Sequence, residues 1–156
     1  MKVQEMRGNR QTAHKKSTLQ SGKPCRKHRC TLCCIDTQMS LTDQDITQII
    51  TAGYPPSAFI IHKEGEWRLA NQQENGPCVF LNDEKCQIYD NRPTGCRIYP
   101  LVFNETKRQA VIDSLCPFSD EFQITDVDRE NLCTLIKQLD NESEQKVYTI
   151  WRETEN

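Results

Sequence analysis

Nine cysteines in a chain of 156 residues constrain this protein more than any other feature. They matter because aliphatic material is scarce. Leu, Ile, Val and Phe number 33 of 156 residues, close to the roughly 20% below which a highly charged chain is expected to be disordered. A large oily core is therefore not available, and ligands held by cysteine must supply part of the stability. The cysteine share falls short of the roughly 8–10% of a small disulfide scaffold but exceeds what incidental packing requires.

No stretch approaches the roughly 18 apolar residues needed to span a bilayer, and residues 1–24 contain no apolar signal-peptide core. The sequence reads as cytoplasmic, where abundant cysteine points to metal binding or catalysis rather than structural disulfides. Twenty Lys and Arg stand against 22 Asp and Glu, a net charge of −2, which excludes a chain that is basic throughout. The charge is uneven, however. Up to Arg29 there are nine basic residues and only Glu5 as an acid. Residues 1–23 read as a disordered basic arm and 24–156 as one domain.

Within that domain the expected fold class is α+β, a small metal-stapled unit of irregular loops, short strands and two or three helices. Leu41-Thr42-Asp43-Gln44-Asp45-Ile46 carries a helix start: Thr42 can cap the amide of Asp45, and Leu41 can staple against Ile46. Gly53 and Pro55-Pro56 end it, which predicts a helix near 43–52. A second cap at Thr125 to Asp128, followed by Leu132, Leu135, Ile136 and Leu139, predicts a helix over 126–139. Asn141 or Ser143 is read as the start of another. Between them, short apolar runs such as Phe59 to Ile61, Trp67 to Leu69 and Leu101 to Phe103 alternate with Gly, Pro and Asn, as short strands do.

The cysteines form two groups. The first reads Cys25-x4-Cys30-x2-Cys33-Cys34, and the second is Cys78, Cys86, Cys96 and Cys116. A C-x2-C pair lets one tight turn aim two thiolates at one ion, as in zinc and iron–sulfur sites. Cys33 and Cys34, as neighbours about 3.8 Å apart at their α-carbons, are closer than the usual disulfide window of about 4.4–6.8 Å, which disfavours a relaxed disulfide between them. Both as ligands, they serve different metal atoms more easily than one tetrahedral ion. Two four-thiolate sites fit, and so does one iron–sulfur site with the remaining cysteines structural or catalytic. Soft thiolates exclude calcium and magnesium without choosing between zinc, iron–sulfur and copper(I).

The first cysteine cluster, the Leu41 to Ile46 helix start, Pro77-Cys78-Val79-Phe80-Leu81 and the run from Cys86 through Tyr89, Arg92-Pro93 and Cys96-Arg97 to Tyr99-Pro100 resemble the YkgJ cysteine-cluster family. The resemblance covers about 25–118. It implies a zinc- or iron-chelating domain and a distant relation to flagellin lysine N-methylase. The family often has C-x2-C-x2-C-C, whereas four residues separate Cys25 from Cys30 here.

Other residues carry blander readings. Cys133 lies among Leu132, Leu135 and Ile136 and is read as a packing cysteine. His28 sits among Arg26, Lys27 and Arg29 and is read as solvated rather than ligating. Ile88-Tyr89-Asp90-Asn91-Arg92-Pro93 is read as a helical turn stopped by Pro93, with Gly95 allowing the backbone to swing Cys96 inward. Arg92 and Arg97 either offset thiolate charge or pair with Asp90 and Asp83. Tyr89, Tyr99, Phe103 and Trp67 are read as shields around the site. Nucleotide loops and hydrolase motifs are missing, and no place for a methyl donor is legible.

The leading expectation is a protein that binds zinc or an iron–sulfur cluster through Cys25, Cys30, Cys33, Cys34, Cys78, Cys86, Cys96 and Cys116. One rival is a protein-lysine methylase-like or redox enzyme using the same centre. The other is an adaptor with a structural metal, whose basic arm contacts nucleic acid or protein through charge.

Overall fold

Thr42 and Asp45 build the helix start that their spacing predicts. The Thr42 hydroxyl accepts from the Asp45 N–H at 3.0 Å, and the Asp45 carboxylate accepts from the Thr42 N–H at 3.1 Å. This reciprocal cap satisfies two amide donors that an α-helix start leaves without partners. The same device opens the long C-terminal helix, where Thr125 and Asp128 exchange bonds of 2.8 and 3.2 Å. The computed structural model describes residues 17–19 and 21–142. In chain order its helices are α1 (Lys23–His28), α2 (Asp43–Thr51), α3 (Thr94–Ile98) and α4 (Asp126–Glu142). Short 3-10 turns cover Leu32–Cys34, Pro56–Ala58, Tyr89–Asn91 and Ser119–Glu121.

Three antiparallel hairpins lie between α2 and α4: β1 (Ile60–Lys63) with β2 (Glu66–Leu69), β3 (Leu81–Asn82) with β4 (Lys85–Cys86), and β5 (Leu101–Asn104) with β6 (Gln109–Ile112). The first two hairpins turn through two residues with positive φ, Glu64 and Gly65 in one and Asp83 and Glu84 in the other. Such turns match the twist of the strands they join. The pairing sets Leu81 opposite Cys86. The fold is thus mixed α+β, with short strand pairs among irregular loops.

Two small cores replace the single large one that the composition does not allow. Leu41, Ile46 and Ile49 of α2 pack with Phe59, Trp67, Leu69, Phe80 and Ile88 in the first. Leu41 and Ile46 meet there as the staple requires. In the second, Leu19, Ile98 and Leu101 pack with Phe122 and with Leu132 and Leu135 of α4. Cysteines sit on both: Cys34, Cys78 and Cys86 on the first, Cys25 and Cys116 on the second.

Several expectations change. Helix α4 runs through Asn141 to Glu142, so Asn141 continues a helix rather than starting one; Ser143, Val147, Ile150 and Trp151 lie outside the described residues. Cys133 is exposed, because the apolar face of α4 is set by Leu132 and Leu135 and position 133 turns away from it. Leu19, only 2% exposed, fills the second core, and Thr18 bonds to Gln123 through both backbone and hydroxyl. The arm's residues 1–16 and 20 lie outside the described residues.

Candidate metal centre

The four residues between Cys25 and Cys30 are taken up by one helical turn. Pro24, at the start of α1, needs no amide partner there, and α1 ends where Arg29 takes a left-handed conformation, φ 51°. That reversal lets the Cys30 N–H reach back to the Cys25 carbonyl at 2.9 Å, so the longer spacing still returns the two cysteines to one another. The chain then coils through the 3-10 turn that carries Cys33 and Cys34. Beyond it the Cys34 carbonyl accepts from the Cys78 N–H at 2.6 Å. The first cysteine run and the second are thereby joined backbone to backbone.

The downstream cysteines share a local design. A backbone N–H two residues ahead points at the sulfur in three cases: Phe80 at Cys78, Ile88 at Cys86 and Phe118 at Cys116. Leu81 adds a second donor at Cys78. Donors aimed at sulfur favour thiolate over thiol, and such bonds tune metal–thiolate sites. Cys96 arrives on α3, whose start is held by Asp45. Its carboxylate accepts from the Thr94 N–H at 2.9 Å and from the Thr94 hydroxyl at 2.8 Å. One buried carboxylate therefore caps α2 and anchors the helix that presents Cys96.

Gly95 serves a close approach rather than backbone freedom, which corrects the swing expected of it: it lies inside α3, and a β-carbon there would collide with the Met39 sulfur. The Tyr89–Asn91 turn before Pro93 forms as predicted.

Thiol electrostatics show which cysteines are neighbours. Burial, followed by Cys33, Cys30 and Cys116, pushes the Cys25 thiol up to about 11. Burial pushes Cys78 up to about 11 as well, with Cys86 and Cys33 contributing. Cys96 is raised by burial and then by Cys33, Cys78 and Cys86. Cys116 is raised by burial, then by Cys30, Cys33 and Asp113. Cys33 itself is raised first by its hydrogen bond with Cys34, then by burial. Two neighbourhoods emerge, Cys25, Cys30 and Cys116 in one and Cys78, Cys86 and Cys96 in the other. Cys33 stands within electrostatic reach of both, and Cys34 is bonded to it. The grouping in space thus differs from the grouping along the chain, since Cys116 sides with the first run.

All nine cysteines are free thiols. Among the described residues no three Cys, His, Asp or Glu side chains converge as a formed ion-binding cluster. The donor set nevertheless suits a soft metal: eight thiols in two adjoining groups, three of them receiving amide N–H bonds.

Arg92 is the cation of this region. Its guanidinium lies over the Tyr89 ring, 4.0 Å from the centroid, and its Nε donates to the Tyr89 carbonyl at 3.1 Å. From there its charge works against the upward shifts of Cys25, Cys33, Cys86 and Cys96. Arg97 instead donates to the Thr94 hydroxyl at 3.3 Å. His28 is exposed, as expected; it stacks on Phe118 at 3.8 Å and contacts Glu121 at 2.6 Å. Against an opposing contribution from burial, the bonds from His28 and Lys27 hold the Glu121 carboxyl below its usual range. Of the aromatic residues read as shields, Tyr99 feels Cys116 and Cys33 and donates to Asp113 at 2.8 Å; Trp67 lies in the first core, and Phe103 packs on the second.

Sequence reasoning did not find the link from Asp45 to Thr94, because a carboxylate already assigned to a cap gives no sign of a second partner 49 residues away. Nor did it find Met39 against Gly95.

The CxxCxxCC family model, described as "Putative zinc- or iron-chelating domain", matches residues 24–117. That span contains every cysteine except Cys133. Neither curated proteins nor solved structures give a match to the chain.

Proposed function

From the premise that the chain belongs to the CxxCxxCC family of zinc- or iron-chelating domains, we propose that it binds zinc or iron, the latter as an iron–sulfur centre, through two adjoining thiolate sets. Cys25, Cys30, Cys33 and Cys116 make up the first. Cys34, Cys78, Cys86 and Cys96 make up the second. The observation that carries this reading is the position of Cys33, which is in electrostatic reach of Cys25, Cys34, Cys78, Cys86, Cys96 and Cys116. Adjacent cysteines serve different metals more readily than one, so Cys33 and Cys34 divide between the sets.

The bound metal supplies thiolate crosslinks between two cores too small to be stable alone, and as iron–sulfur it also supplies an electron-accepting centre. The chain's own residues do the rest. The N–H groups of Phe80, Ile88 and Phe118 orient and stabilise three thiolates, while Arg92 offsets part of the charge that both sets accumulate. Free thiolates in such numbers suit a reducing compartment.

Single Cys→Ser substitutions, each followed by metal analysis of the purified protein, test the division. Members of one set are expected to lose one share of the metal and members of the other set the other share, with Cys133→Ala retaining all of it. A graded loss that ignores the two sets would refute the division, and full metal content in Cys86→Ser and Cys96→Ser would refute the reading itself.

A further inference from the structure

On the side of α3 that faces α4 lies a cavity of about 270 Å³ whose walls include Thr94, Arg97, Asn131, Thr134 and Gln138, with Ile98 and Leu135 behind them. Asn131, Thr134 and Gln138 fall at positions i, i+3 and i+7 of α4, so they form one polar stripe along the helix. The stripe needs an explanation, because it borders the second core at a place where apolar residues would seal α3 against α4.

Arg97 supplies one. Its Nε is buried and has no hydrogen-bond partner among the described residues. One terminal nitrogen reaches the Thr94 hydroxyl at 3.3 Å, and none of the ion pairs among the described residues includes Arg97. The carboxylates close by are engaged elsewhere. Asp45 accepts from Thr42 and Thr94, and Glu142 accepts from Gln138 and from the Asp43 N–H. A buried donor left unmade costs the desolvation of that group, and native proteins rarely tolerate it without a ligand or water.

We propose that this cavity binds a small oxyanion, a phosphate or carboxylate group, held by the fork of Arg97 and by the hydroxyl and amide groups of the α4 stripe. A guanidinium offers parallel donors matched to two oxygens of such a group. The volume falls below the range of about 300–1,000 Å³ typical of sites for drug-sized ligands, so inorganic phosphate or a short organic acid fits better than a nucleotide or an adenosyl cofactor. Because Arg97 follows Cys96 on a five-residue helix, the anion would sit next to the metal centre without being one of its ligands. The site does not depend on which metal the thiols take.

The test is a backbone amide NMR titration of the full-length protein as purified, with inorganic phosphate in one arm and succinate in the other, at ionic strength held constant with sodium chloride. Saturable shifts at Arg97, Asn131, Thr134 and Gln138 are expected in at least one arm, and the responding arm identifies the group. Arg97→Gln should weaken binding about tenfold or more. If that variant does not fold, Arg97→Lys, which keeps the charge but lacks the fork, is expected to weaken binding in the same direction. Thr134→Val, which leaves Arg97 in place, should weaken it several-fold. Absence of saturable shifts at these four residues in both arms would mean that the cavity holds only water and would overturn the proposal, as would wild-type affinity in the folded Arg97 variant. Neither result bears on metal content, which is measured on the same samples.

Discussion

Asp45 joins the two halves of the site's scaffold, and its removal has a calculable cost. The side chain belongs to a residue only 1% exposed and accepts three hydrogen bonds: 3.1 Å from the Thr42 N–H, 2.9 Å from the Thr94 N–H and 2.8 Å from the Thr94 hydroxyl. Bonds to charged groups contribute about 1.5–3 kcal/mol each, but not additively, and burying the carboxylate costs part of the gain. Asp45→Ala leaves two backbone donors without an acceptor, so a loss of about 3–4 kcal/mol is expected. Asp45→Asn keeps one oxygen but turns an NH2 group towards one of the donors, for an expected loss of about 2 kcal/mol. Thr94→Val keeps the Thr94 N–H bond and should cost about 1 kcal/mol. Urea unfolding of each variant at matched metal content measures the series. An Asp45→Ala protein within about 1 kcal/mol of wild type would refute the reasoning, since even one orphaned buried donor costs that much.

Three further outcomes are expected. Gly95→Ala drives a methyl into the Met39 sulfur and should cost about 1–3 kcal/mol; adding Met39→Ala should make the double variant more stable than the sum of the two losses, which a double-mutant cycle by urea unfolding reads directly. Metal uptake should release protons at pH 7, because burial holds Cys25 and Cys78 at about 11 and they are neutral thiols until a metal displaces the proton; apparent affinity should therefore rise with pH towards that value, and calorimetry in buffers of different ionisation enthalpy would show no proton release if the thiols were not the ligands. Exposed Cys133 should be alkylated rapidly in the metal-loaded protein without loss of metal, as mass spectrometry combined with metal analysis will show.

How much was legible in the sequence follows from the range of the interactions. Both Thr-x-x-Asp caps, the extent of α2 and the apolar runs that became β1, β2 and β5 depend on residues a few places apart, and spacing reports these well, whereas the pairing of the strands into hairpins was not read. The placement of Cys133 failed because an i, i+3 pattern around it, Leu132 and Leu135, was read as enclosing it when the burial stripe passes beside it. Contacts across the chain left no local trace: Asp45 with Thr94, Met39 with Gly95, and Ser17 with Asp128 at 2.7 Å. The eight cysteines could be singled out because their number and spacing are chemically unusual. Their neighbourhoods were not, since Cys116 approaches Cys25 and Cys30 only through the packing of the second core.

The most direct test of metal binding is anaerobic purification followed by elemental analysis, acid-labile sulfide determination and a visible spectrum. Two thiolate sets predict either colourless protein with about two zinc ions per chain or brown protein containing iron and sulfide in similar amounts. Chelation should then abolish the cooperative melting transition, because the small cores depend on the metal. Protein that contains neither metal, and whose melting transition a chelator leaves unchanged, would contradict the central claim.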